Sequence, residues 1–88
     1  MPHMLARLRG VKTKDISAIL KADAEAHAQE GLLLEYLWQN LDDDDEVLFL
    51  FRVNDIQHAR QFIDRVHGEA LRENPKANLP GMTFLDES

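Results

Sequence analysis

The stretch from Gly31 to Val53 decides the fold: GLLLEYLWQN over 31–40, LDDDD over 41–45 and EVLFLFRV over 46–53. Two runs rich in Leu, Phe and other large apolar residues flank an acidic turn, which is the pattern of a β-hairpin. The strands are predicted over Leu32–Asn40 and Glu46–Val53, with Leu41–Asp45 between them. If the turn is centred on Asp43 and Asp44, Trp38 faces Phe49, Tyr36 faces Phe51 and Leu34 faces Val53. On the opposite face Leu37 meets Leu50, Gln39 meets Leu48, and Glu35 meets Arg52 as an opposite-charge pair. A slip of one residue would exchange the two faces.

Outward from the hairpin, Met4–Arg9 alternates as a short strand. Thr13–Glu30 reads as a helix, with Thr13 or Asp15 as its cap and Gly31 as its stop. After the hairpin, Asn54 is expected to cap a second helix, with Gln57 completing a capping box. The apolar face of that helix is Ile56, Ala59, Phe62, Ile63, Val66 and Ala70. Gly68 weakens it and is expected to break it, and Asn74-Pro75 ends it. Asn78–Gly81 reads as a loop and Met82–Leu85 as a last strand. The order strand–helix–strand–strand–helix–strand over residues 1–88 implies one small α+β sandwich domain.

Both faces of the hairpin are apolar. One is expected to lie under the helices, with Leu33, Leu37, Leu48 and Leu50 on the other. A solvated sheet face ordinarily alternates to polar residues, so this second face is expected to pack on a second copy as a homodimer. Arg7, Arg9, Glu35 and Arg52 fall on the dimer-facing side, as an ion network or an anion site.

The 88 residues carry a net charge of −6, with 44% hydrophobic and 30% charged residues. That is an ordinary globular composition whose average field repels nucleic acid and anionic membranes, so neither is expected as a partner. There is no cysteine, which excludes disulfides, thiolate metal sites and cysteine nucleophiles and agrees with a cytoplasmic location. No stretch is long and apolar enough for a signal peptide or a membrane span. The run EVLFLFRV lacks the basic-Gly-aromatic pattern of an RNA-recognition motif.

The run GLLLEYLWQNLDDDDEVLFLFRVNDIQHARQFID, followed later by PGMTFLDE, resembles small proteins of the dimeric α+β barrel superfamily, among them antibiotic-biosynthesis-monooxygenase-like proteins. The shared pattern is a glycine closing the first helix, a strand ending in Asn, an acidic turn, a Glu-Val-apolar strand and a helix opening Asn-Asp-Ile. The resemblance covers 31–87. It implies a ferredoxin-like βαββαβ protomer, with a four-stranded antiparallel sheet and two helices on one face, whose sheet joins its partner's in a barrel. The superfamily includes cofactor-independent oxygenases, isomerases and haem-handling enzymes. No residue set of theirs maps onto this chain, so no catalytic residue is carried over, and no cofactor is expected.

Asp23, His27 and Glu30 share one face of the first helix by their spacing, near its apolar stripe. Beneath that stretch the helix offers only alanines, and small residues leave room for a pocket against the sheet. His27 would be a general base or ligand anchor there, oriented by Asp23, and Tyr36 and Trp38 would form aromatic walls. Glu30 and His67 join the candidate ligand-binding set, His67 from the edge of the second helix's stripe. The competing readings leave the acidic groups solvated and use Tyr36, Trp38 and His67 as core. His58 reads as solvated. Asp42–Glu46 lacks the ligand spacing of a calcium loop, so no metal is expected. The expected function is binding or transformation of a small organic molecule, monooxygenase-like or isomerase-like by the resemblance. The alternative is a non-catalytic dimeric binding or structural module.

Overall fold

Alternate residues of EVLFLFRV are buried, Val47, Phe49, Phe51 and Val53, and the residues between them are half-exposed. This strand therefore has one side in a core and one side outside it, and the rest of the fold is arranged around that difference. In the computed structural model, which describes residues 1–87, the elements are β1 (His3–Arg9), α1 (Thr13–Ala22), α2 (Ala24–Gln29), β2 (Leu32–Gln39), β3 (Glu46–Val53), α3 (Ile56–Glu73) and β4 (Gly81–Leu85). The strands form one antiparallel sheet in the order β2-β3-β1-β4, and this is the ferredoxin-like α+β arrangement.

All three helices lie on the side where Met4, Ala6, Leu8, Val47, Phe49, Phe51 and Val53 meet Ile16, Leu20 and Ala59. Each fully buried side chain of the size of Val or Phe contributes about 1.5–3 kcal/mol relative to exposure. Ala59 has no exposure at all and is the buried residue of α3.

Several local expectations are corrected. The first helix is broken at Asp23 into α1 and α2. No side chain caps α1; the Thr13 hydroxyl donates instead to Gln39 Oε1 at the end of β2. The cap of α3 is Asp55 rather than Asn54, its carboxylate accepting from the N–H groups of Gln57 and His58 at 3.0 and 3.2 Å. Gly68 does not break α3, which runs unbroken to Glu73. Gly31 does end the helical segment. Its φ of +76° lies in the left-handed region, and its carbonyl accepts from the Asn54 N–H at 3.0 Å, joining the start of β2 to the end of β3.

The hairpin register is the largest correction. Trp38 lies opposite Leu48, Leu37 opposite Phe49 and Tyr36 opposite Leu50, one residue from the expected pairing. An irregularity at Glu35 then shifts the ladder again, so that Leu34 faces Phe51 and Leu32 faces Val53. A bulge changes the parity of a strand. Leu32 and Leu34 face the helices before it, Leu37 and Gln39 after it, and Tyr36 and Trp38 are turned to the open face. Glu35 bonds His3 at 2.8 Å instead of Arg52. The expected ion network is likewise rearranged: Arg7 pairs with Glu46, and Arg9 with Asp43, Asp45 and Glu46. No helix among the described residues is long and apolar enough to cross a membrane.

Candidate functional site

The side chains under α2 are small, because AEAHAQ offers three alanines, and no residue of this helix is buried. Space remains between the helices and the sheet in two adjoining cavities. The inner one, about 160 Å³, has apolar walls that include Phe49, Phe51, Phe62 and Met82, with His27 and His67 among its lining groups. The outer one, about 230 Å³, opens beside β2 at Leu33 and Leu34, under Lys21 and Ala24. Leu20, His27, Leu32 and Phe51 line both. The His27 ring meets Phe51 edge-on, with centroids 5.4 Å apart and planes at 84°. An apolar cavity of about 150 Å³ is large enough for one benzene ring.

The six sequence-predicted site residues are not all brought together. His27, from α2, and His67, from α3, converge on the inner cavity and are both half-buried. Asp23 is exposed in the turn between α1 and α2 and does not orient the His27 imidazole. Its contact with His27 is through the backbone, the His27 N–H donating to the Asp23 carbonyl at 2.9 Å. The helix break explains this, since the expected single-helix face does not continue through Asp23.

Glu30 is also placed elsewhere. Its carboxylate pairs with His58 and, at 3.7 Å, with Arg65, which ties the end of α2 to α3. His58 is exposed as expected but is not merely solvated, because it is Glu30's partner. Tyr36 and Trp38 lie on the far side of the sheet, their rings stacked with centroids 5.1 Å apart and planes 8° from parallel. They are 56% and 43% exposed, and they form no wall of the His27 cavity.

The chain matches no model of a known protein family, and no curated protein matches it. Solved structures do. One is a protein of Deinococcus radiodurans provisionally named an antibiotic biosynthesis monooxygenase, with a TM-score of 0.62 and 16% identity over 100% of this chain and 93% of that one. The fold is that of the antibiotic-biosynthesis-monooxygenase-like proteins. A second structure named as an antibiotic biosynthesis monooxygenase has a TM-score of 0.54 and 18% identity, over 100% of this chain and 99% of that one. An uncharacterised NIPSNAP domain protein from Burkholderia xenovorans has a TM-score of 0.59 and 15% identity, over 100% and 95%.

Within this antibiotic-biosynthesis-monooxygenase-like fold the cavity walls come from residues the sequence marks only as core. Phe49 and Phe51 stand out as the inward positions of β3, and Phe62 as part of the α3 stripe, but a core stripe and a cavity wall have the same pattern. Lys21 is a surface residue of the last turn of α1, and nothing in its spacing links it to a cavity. Near the hairpin turn a wider, open basin of about 730 Å³ is lined by Lys12, Asp15, Ile19 and Asp42–Asp45. There the Arg9 guanidinium, hydrogen-bonded to Asp43, holds the Asp43 carboxyl below its ordinary range, and the Arg9 pKa is raised in turn. Among the described residues, no group of three or more His, Asp and Glu side chains is placed to hold a metal ion.

Proposed function

We propose that residues 1–88 form a single-domain cytoplasmic protein that works as a homodimer and binds a small, mostly apolar organic molecule in the helix–sheet cavity of each protomer. The observation that carries this reading is the convergence of His27 and His67 on one apolar cavity. Apolar walls with a few converging polar groups are the usual form of a ligand site. The walls hold the body of the ligand, and each imidazole offers a nitrogen that can donate or accept a proton. His27, which borders both cavities, is the proposed general base, and the proposed chemistry is an isomerisation or an oxidation in which dioxygen is the oxidant and no cofactor is bound. The monooxygenase names of two proteins of the same fold support this class. Tyr36, Trp38, Asp23 and Glu30 are not part of the proposed site.

The homodimer is supported by the face of the sheet without helices, where Leu33, Tyr36, Trp38 and Leu85 are between 43% and 56% exposed. Leu50 and Leu5 lie in register between them. Arg52 and His3 stand in register between Leu33 and Leu85, so the apolar residues form a patch crossed by basic groups, which a second sheet packed about a two-fold axis would cover. The same patch favours a second reading, in which the dimer is a non-catalytic module and the cavities are packing defects.

A thermal-shift screen of small aromatic compounds against wild type and His27→Ala separates the two. Under the first reading at least one compound stabilises wild type more than the variant. If no compound does so, the ligand site is refuted and the module reading stands.

A further inference from the structure

The chain has 16 acidic residues against 10 Lys and Arg, yet among the described residues no Asp or Glu lines either cavity. The ionisable groups that do line them are Lys21, His27 and His67, all basic. Lys21, like most of the Lys and Arg residues, is paired with no carboxylate among the described residues; what distinguishes it is that it borders the helix–sheet cavity that His27 also lines. The last turn of α1 gives Lys21 a favourable place at a helix C-terminus, but does not account for its position over a cavity.

We infer that the ligand is an organic anion: a body one ring wide with a single acidic group, a carboxylate or an acidic hydroxyl. This inference rests on the cavity reading proposed above. The ring lies in the inner cavity among Phe49, Phe51, Phe62 and Met82. The acidic group lies in the outer cavity, between Lys21 and His27. The two cavities adjoin at Leu20, His27, Leu32 and Phe51, and the inferred ligand, with a short linker between ring and acid, reaches from one to the other past these side chains. Inorganic phosphate or sulfate fits poorly, because apolar walls would strip its hydration without replacing it. A cation would meet three basic groups and no carboxylate. An anion gains a charge-assisted hydrogen bond from the ammonium of Lys21, which is stronger than a neutral one.

The test compares 3-phenylpropanoate, its amide and 3-phenylpropylammonium by NMR titration, following the His27 and Phe51 resonances. The carboxylate should bind about tenfold more tightly than the amide, the size of one charge-assisted hydrogen bond, and the cation should bind most weakly. Lys21→Gln, a change at an exposed residue, should reduce the preference for the carboxylate to within about threefold, weakening the carboxylate more than the amide. Lys21→Arg should keep the preference. Equal binding of carboxylate and amide at these resonances would overturn the anion inference while leaving the cavity reading intact. A carboxylate preference untouched by Lys21→Gln would overturn the role of Lys21. If no probe moves His27 or Phe51, the cavity reading fails and this inference with it.

Discussion

Trp38 stacks on Tyr36, ring centroids 5.1 Å apart, on the face of the sheet opposite the helices. The pair is two residues apart on one strand, and both rings stand outside the protomer's own core. Burying them needs a partner, and Trp38 is the only tryptophan in the chain. Its fluorescence therefore reports directly on that face. At micromolar concentration the protein should sediment as a dimer with blue-shifted emission, and dilution should shift the emission to the red. Leu50→Asp places a charge in the middle of the same face and should give a folded monomer, since the protomer core lies on the other side. A wild-type monomer at micromolar concentration would rule the dimer out.

Gly31 is the backbone hinge between α2 and the sheet. Its φ of +76° suits glycine, and a Cβ there would approach Asn54 Cβ at 3.3 Å. Gly31→Ala should cost about 1–2 kcal/mol, the penalty for holding an L-residue in the left-handed region. A lower denaturant midpoint with an unchanged m-value would confirm it. An unchanged midpoint would show that the turn adapts.

The Arg9–Asp43 pair sets a pH dependence. Arg9, first through its side-chain hydrogen bond, lowers the Asp43 pKa below its ordinary value of 3.8. A carboxyl with a depressed folded pKa contributes stability above its unfolded pKa and loses it as pH falls through the folded value. Wild type should therefore exceed Arg9→Ala in stability at neutral pH, and the gap should close as the solution is acidified below pH 3.8. Both groups are at the surface, so the gap should be small and should shrink further with salt. Carbon-detected NMR titration should show the Asp43 pKa rising in Arg9→Ala; an unmoved value would refute the pairing.

Glu30 holds α2 to α3 through His58 and Arg65, and α2 itself buries no residue. Few buried contacts mean a low free energy of local opening. Glu30→Gln should speed amide exchange across Ala24–Gln29, with little change in β1 and β3. Equal exchange in wild type and variant would show that the Glu30 pairs do not hold the helix closed.

The order of elements was readable in the sequence because hydrophobic period is a local property. EVLFLFRV alternates, the Ile56–Ala70 stripe repeats at helical spacing, and Gly31 and Pro75 stop the runs before them. The positions of His27 and His67 near the helix–sheet space followed from the same periods. What the periods could not supply is parity across the hairpin. The expected turn was centred between Asp43 and Asp44, whereas the observed loop is centred on Asp43. There the Asn40 N–H donates to the Glu46 carbonyl at 3.1 Å, and Arg9, from a different strand, holds Asp43. That register turns Tyr36 and Trp38 outward, and the bulge at Glu35, whose carboxylate meets His3 of β1, then returns Leu34 and Leu32 to the helix side.

Both choices depend on contacts with β1, more than thirty residues away in sequence for Glu35 and Asp43 alike. The same holds for Glu30, whose partners His58 and Arg65 lie on another helix. By itself, then, the sequence determined which segments are strands and helices and which residues are apolar enough to be covered. Tertiary structure decided which face each aromatic joins and which charges meet. Those are set by long-range hydrogen bonds and ion pairs that leave no period along the chain.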